Sequence, residues 1–191
     1  MTLTIESLFT EAHTAGGFVD RPVEDATLHA LYELLKWGPT SANSCPARFI
    51  FVRTPQARER LIECVSPGNV AKVQSAPVTV IVGMDMAFYE ELPRLYPQVD
   101  ARSWFAGKPE LIAREALRSS SLQAGYLMLA ARSLGLDCAP MAGFDAAKMD
   151  VAFWAGTTVR SNMICALGHA DPAKQRPRKP RLAFDEACQL L

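Results

Sequence analysis

Between Lys36 and Phe49 the chain reads KWGPTSANSCPARF, its densest cluster of residues able to bind a small polar molecule. Gly38, Pro39, Ser41, Asn43 and Pro46 crowd into a few positions, which is turn chemistry. Thr40, Ser41, Asn43 and Ser44 offer hydroxyl and amide groups, framed by Trp37 and Phe49. Short polar side chains on a stiff turn suit hydrogen bonding to a flat polar heterocycle, with the aromatics limiting water. The same residues also suit a helix stop followed by a surface turn. Other chemistries lack their residues. No G-x-G-x-x-G follows a strand, no G-x-x-x-x-G-K-[ST] occurs, and no G-x-S-x-G elbow is present. His13, His29 and His169 are scattered without partners at helical spacing, so no metal site is expected. The five cysteines form no C-x-x-C pair, and their odd number argues against a disulfide framework. They are expected mostly as small buried hydrophobes; Cys45, in the polar loop, lacks a nearby His to activate it as a nucleophile.

Composition narrows the partners. Lys plus Arg and Asp plus Glu are 20 each in 191 residues, so the net charge is zero and no basic surface for nucleic acid or anionic lipid is implied. No apolar run approaches the roughly 20 residues of a membrane span. The amino terminus has no cationic region ahead of an apolar stretch, so a cytoplasmic protein is expected. One domain over residues 1–191 is expected, with 172–191 as an extended carboxy-terminal arm.

Periodicity places these residues on elements. Residues 3–13 are predicted as a short helix with Ile5, Leu8 and Phe9 on one side, ended by Gly16 and Gly17. Leu28, Leu31, Tyr32 and Leu35 follow i, i+3, i+4, i+7, predicting a helix from Val23 to Trp37 that leads into the polar loop. Phe49–Val52, Pro77–Met84 and Asn162–Gly168 are continuously apolar and predict strands buried on both faces. Thr54 caps a helix that Pro67 and Gly68 would break. The 85–107 segment, with Phe88, Tyr89, Tyr96, Trp104 and Phe105, is irregular and suits either a lid or a packed insertion. The longest helix spans 109–134, with Leu122, Gly125, Tyr126, Leu129, Ala130, Ser133 and Leu134 on one stripe that fits either the core or a dimer seam. Gly135 ends it. Leu136–Phe144 forms a short strand interrupted by Pro140 and Gly143, and Asp145 caps a helix through Met149, Val151 and Phe153. Lys174, Arg176, Arg178, Lys179 and Arg181 lie between prolines in an extended basic tail ending in FDEACQLL, a short helical stretch.

The run PVEDATLHALYELLKWGPTSANSCPARFIFVR resembles the opening of the FMN-dependent nitroreductase family. The resemblance returns at SLQAGYLMLAARSLGLD, CAPMAGFD and ALGHADPAKQRPRKPRLAFDEA, covering nearly the whole chain. DARSWF and PMAGFD are most similar to the malonic semialdehyde reductases of pyrimidine breakdown. The resemblance implies an α+β fold with a mainly antiparallel sheet flanked by helices, in an intertwined homodimer with FMN at the interface. It implies a ping-pong reaction in which NADPH or NADH reduces FMN and an acceptor, malonic semialdehyde for this branch, then takes the hydride. A flavin carries its own hydride chemistry, so no catalytic side chain is required. A broad nitro or quinone reductase is the alternative on the same fold, and a non-catalytic flavin-binding dimer is the alternative of another class.

For the cofactor, the resemblance implies Pro39, Thr40, Ser41 and Asn43 at the polar rim of the ring, from the partner subunit. Pro140, Met141, Ala142 and Gly143 would line the ring, and Lys179 and Arg181 would take the phosphate. Arg102, Trp104 and Phe105 are the substrate candidates, with Arg48 as a weaker second carboxylate holder. The family pattern Arg-Ser-x-Arg-x-Phe stands here as His13-Thr14-Ala15-Gly16-Gly17-Phe18. Thr14 and Phe18 fit, both arginines are missing, and Arg21 is the candidate replacement. The carboxy-terminal arm is therefore expected to carry more of the phosphate binding.

Overall fold

The computed structural model describes residues 4–191. A short helix α1 (Ile5–Leu8) and α2 (Asp25–Leu35) precede the polar loop and β1 (Ala47–Val52). Then come α3 (Pro55–Ile62), α4 (Pro67–Ser75), β2 (Val78–Asp85), α5 (Leu92–Leu95) and the 25-residue α6 (Pro109–Ser133). The chain continues through β3 (Asp137–Met141), α7 (Ala146–Phe153), β4 (Val159–Gly168) and α8 (Phe184–Ala187). The strands form one sheet in the order β1-β2-β4-β3, every pair antiparallel. This is the expected α+β architecture. No helix among the described residues is long and apolar enough to cross a membrane.

β2 shows why the sheet sits between two layers. Val78, Val80 and Val82 enter a cluster with Leu28, Leu31 and Leu35 of α2 and Ala124 and Leu127 of α6. Ile81 enters the opposite cluster with Leu61, Val73 and Met149 from α3, α4 and α7. Alternate residues of a strand point to opposite faces, so an all-apolar strand must be covered on both. A third cluster, built on Phe88, Leu92, Ala101 and Phe105, joins the 85–107 segment to Ile112 and Ala116 of α6.

Several local expectations are corrected. The first helix is one turn long, because residues after Phe9 leave the helix and pair with β3: the Ala15 N–H donates to the Cys138 carbonyl at 2.9 Å. Residue 3 of that predicted helix lies outside the described residues. Pro67 and Gly68 begin α4 instead of breaking α3, since a proline at the first helical position sacrifices no hydrogen bond. The 85–107 segment is not irregular; it holds α5 and two 3-10 turns around its own apolar cluster. On α6 the buried line runs through Ala116, Ala124, Leu127 and Ala131, while Leu122 and Tyr126 of the predicted stripe are 46% and 40% exposed. Val151 of α7 is exposed, and of the cysteines Cys45 is half-buried and Cys188 exposed. β4 begins earlier than expected, at Val159, and β1 is only half-buried at Phe49, Ile50 and Phe51 because it is an edge strand.

Gly83 sits at the register shift between β2 and β4, where a Cβ would lie 2.4 Å from Val159 Cγ1 and 2.8 Å from Trp154 Cζ2. Gly83→Ala is expected to lower stability by about 1–3 kcal/mol. The check is the urea midpoint, and an unchanged midpoint would show that Trp154 and Val159 yield freely.

Candidate functional site

A cavity of about 690 Å³ opens where the two ends of the chain meet. One wall is the amino-terminal segment from Phe9 to Gly16, and the other is the arm from Arg176 to Arg181. The floor is supplied by Lys72 of α4 and Arg132 of α6. Six cations thus line one space: Lys72, Arg132, Arg176, Arg178, Lys179 and Arg181. No carboxylate lines it, and none of the six has an acidic partner within ion-pair distance among the described residues. Lys72 and Arg132 are half-buried. Partly desolvated cations of one sign are held together at a cost that an anion would offset.

The walls are fixed by backbone bonds. Thr14 forms a bridge with Cys138, so the amino-terminal segment runs along the outer edge of β3. Arg178 donates to the carbonyls of Thr10 and Ala12, the latter at 2.7 Å, stapling the arm to that segment. Arg132 donates to the Leu8 carbonyl at 2.8 Å. Arg181 folds back on the carbonyls of Lys179 and Pro180. Thr14, Lys179 and Arg181 are thereby brought together, as a shared phosphate site requires. Arg21 is exposed and does not line this cavity; its charge lies beside His169, whose imidazole is held below its usual range by burial first and by Arg21 second. Lys72 and Arg132 escaped the sequence reading. Lys72 carries no signal beyond helical spacing from Asn69, and Arg132 in the last turn of α6 reads as a charge complementing the helix dipole.

The turn after β3 adjoins this space. Pro140 lies two residues beyond Cys138, about 7 Å along the strand. The Gly143 carbonyl accepts from Ser66 N–H at 2.9 Å and from Asn69 Nδ2 at 3.0 Å, so the start of α4 holds the turn. Asn69 and Lys72 share a helix face, three residues apart. α4 therefore connects the 140–143 turn to the cationic cavity. A Cβ at Gly143 would meet the tip of the Asn69 side chain at 2.7 Å, the group that holds the turn through its bond to the Gly143 carbonyl. Ala142 is exposed and Pro140 half-buried, whereas Met141 packs into the core, leaving its backbone as the part that can face a ligand. Beneath the turn, Cys165 is buried and its thiol is pushed well up, first by its side-chain interaction with Cys138 and then by burial.

The 39–43 loop lies elsewhere. Its Ser41 N–H donates to Ser119 Oγ at 3.3 Å, and a Cβ on Gly38 would strike the ring of Tyr126. Ser119 and Arg132 are thirteen residues apart on one helix, about 20 Å at 1.5 Å per residue. Within one chain, then, Pro39, Thr40, Ser41 and Asn43 do not reach the cationic cavity. The loop's backbone is unusual: Ala42, Asn43 and Cys45 have φ of 50°, 51° and 41°. Asn43 Nδ2 donates to the Leu95 carbonyl at 2.9 Å, and the Cys45 N–H donates to Thr40 Oγ1 at 3.1 Å. Trp37 is 76% exposed and shields nothing within the chain.

The substrate candidates are largely engaged. Arg102 forks onto Glu90 at 2.7 and 2.9 Å, and that hydrogen bonding holds the Glu90 carboxyl below its usual range. Phe105 is buried against Phe88, ring centroids 5.1 Å apart, so its ring is a core element. Trp104 is half-exposed against Tyr96. Arg48 bonds Asp85 Oδ2 at 2.6 Å and the carbonyls of Cys45 and Ala47 at 3.0 Å, which is a structural role.

A family model described as the Nitroreductase family matches residues 13–169. The chain is 58% identical to a Burkholderia lata protein provisionally named NADH dehydrogenase/NAD(P)H nitroreductase, over 97% of this chain and 95% of that one. It is 55% identical to a protein of the same provisional name from Stutzerimonas stutzeri, with the same coverage. Among solved structures, an Exiguobacterium sibiricum protein provisionally assigned as a nitroreductase and crystallised with FMN matches with a TM-score of 0.91. That match is at 18% identity and covers 100% of this chain and 99% of that one.

The left-handed loop generates a stability test. Asn43→Ala removes the bond to Leu95 and the residue that tolerates this backbone, and is expected to cost about 1–2 kcal/mol. Ala42→Gly next to it should be neutral or stabilising by up to about 1 kcal/mol. Urea unfolding of both variants checks the opposite signs, and equal losses would refute the backbone account.

Proposed function

The chain belongs to the nitroreductase family, and from that premise we propose that it is an FMN-dependent NAD(P)H oxidoreductase working as a homodimer. The observation that carries the cofactor is the cationic cavity without a carboxylate, joined by α4 to a backbone turn. Lys179 and Arg181 hold the phosphate, with Thr14 offering its hydroxyl beside them. The Pro140–Gly143 backbone supports the ring. When bound, FMN supplies the hydride relay between a reduced nicotinamide and an acceptor. The chain's own residues bind and orient, and no side chain is needed as acid or base.

The dimer follows from the separation along α6. Pro39, Thr40, Ser41 and Asn43 are about 20 Å from the cavity in their own chain, so they meet a ring only if a partner presents them. Leu122 and Tyr126, four residues apart on α6 and so on one face, are 46% and 40% exposed beside that loop. An apolar face of this kind marks an association surface. Leu122→Arg is expected to give a monomer that loses flavin, measured by light scattering and absorbance together. A dimer retaining flavin would refute the seam.

For the acceptor, DARSWF and PMAGFD support malonic semialdehyde, reduced to 3-hydroxypropanoate. Arg102 would hold its carboxylate after leaving Glu90, beside Trp104. A second reading, a broad nitro or quinone reductase, is favoured by the closed Arg102–Glu90 fork, which leaves no free cation there for a carboxylate. The deciding experiment is the absorption spectrum of FMN-loaded protein. Flavin bands should bleach on NADPH or NADH. Recovery on malonic semialdehyde supports the first acceptor, and recovery only on nitroaromatics or quinones supports the second. Failure to take up FMN at all would overturn the oxidoreductase reading.

A further inference from the structure

Gly16 stands where the family pattern has its second arginine, and the fold forbids a side chain there. A Cβ on Gly16 would lie 2.1 Å from the Lys174 carbonyl oxygen, which is backbone and cannot yield like a side-chain tip. The turn Pro172–Lys174 lies over this position, held by the Asp171 N–H donating to the Gly17 carbonyl at 3.0 Å. The same covering turn leads into the arm. Bringing the arm close thus excludes an arginine from position 16, and His13 at the first position lines the cavity without a permanent charge.

The missing charge arrives from another element. Arg132, in the last turn of α6, lines the same cavity as His13, Thr14 and Gly16. It is half-buried and has no acidic partner within ion-pair distance among the described residues. One of its five N–H donors is spent on the Leu8 carbonyl, at 2.8 Å. That bond fixes the guanidinium while leaving the other donors free for an oxyanion, and an arginine fork suits phosphate oxygens in geometry as well as charge. We propose that Arg132 joins Lys179 and Arg181 in binding the phosphate, replacing from α6 the arginines absent at positions 13 and 16, and that it sets the preference for FMN over unphosphorylated riboflavin. This rests on the flavin reading above.

The test is the affinity of the full-length, deflavinated protein for FMN and for riboflavin, each followed by quenching of flavin fluorescence. The wild type is expected to bind FMN more tightly than riboflavin. Arg132→Ala should weaken FMN about 10- to 100-fold, the worth of a charge-assisted hydrogen bond, and leave riboflavin within about twofold. Arg132→Lys, which keeps charge and disturbs α1 less, should recover part of the FMN preference. Loss of both flavins in equal proportion would mean that Arg132 only ties down α1, and the proposal falls. An unchanged FMN affinity overturns it as well. If the wild type binds neither flavin, the oxidoreductase reading itself fails; if it binds both equally, only the phosphate role is lost.

Discussion

The outer edge of β3 is the constraint on which the rest of this structure depends. β3 has one sheet neighbour, β4, and its other edge would be left with unpaired backbone groups. The amino-terminal segment covers that edge through the Thr14–Cys138 bridge and the Ala15 bond to Cys138. The chain beyond β4 then covers the amino-terminal segment: Phe18 bridges Ala170, the Ala170 N–H donates to Asp137 Oδ2 at 2.8 Å, and Asp171 bonds Gly17. Satisfying one strand edge thus stacks both ends of the chain in the same place. Once stacked, the arm can only continue past Arg132 and Lys72, and the cationic cavity is the product.

The charge balance of the whole chain makes that cavity informative. With 20 acidic and 20 basic residues, carboxylates were available to neutralise it. Elsewhere the chain pairs its charges readily: Arg48 with Asp85, Arg102 with Glu90, Arg118 with the buried Glu115. Around the cavity it does not, although Glu6 and Glu11 lie close by in sequence. Cations left without acidic partners lower the cost of admitting an anion among them.

What could be read in the sequence was what depends on local order. The α2 helix, β1, β2, the Thr54 and Asp145 caps and the Gly135 stop all follow from period, capping and turn chemistry, and the family pattern located the polar loop, the β3 turn and the arm. What could not be read was set by tertiary contact. The α6 stripe fitted either the core or a dimer seam in the sequence, because apolar residues occur on more than one side of that helix and pattern alone cannot say which side meets the sheet; the sheet takes Ala124 and Leu127, leaving Leu122 and Tyr126 exposed. Lys72 and Arg132 look like ordinary helix-end charges until the termini close over them. The left-handed Ala42 is invisible, because alanine carries no preference for that conformation; only its neighbours Asn43 and Gly38 hint at a turn.

That left-handed stretch bears on how the two halves of the site belong together. Non-glycine residues with positive φ cost about 1–2 kcal/mol each, and three occur within four positions. Strain of this size persists only where surroundings over-determine it, and here Ser119, Leu95 and Thr40 supply the fixing bonds. A simple exposed connection would relax into ordinary turn geometry at no loss. The same bonds hold Thr40, Ser41 and Asn43 in one arrangement. α6 carries this rigid rim near its middle and Arg132 at its end, so a single straight helix sets the spacing between the two. The ring-facing and phosphate-facing parts of the proposed site are therefore linked by one helix.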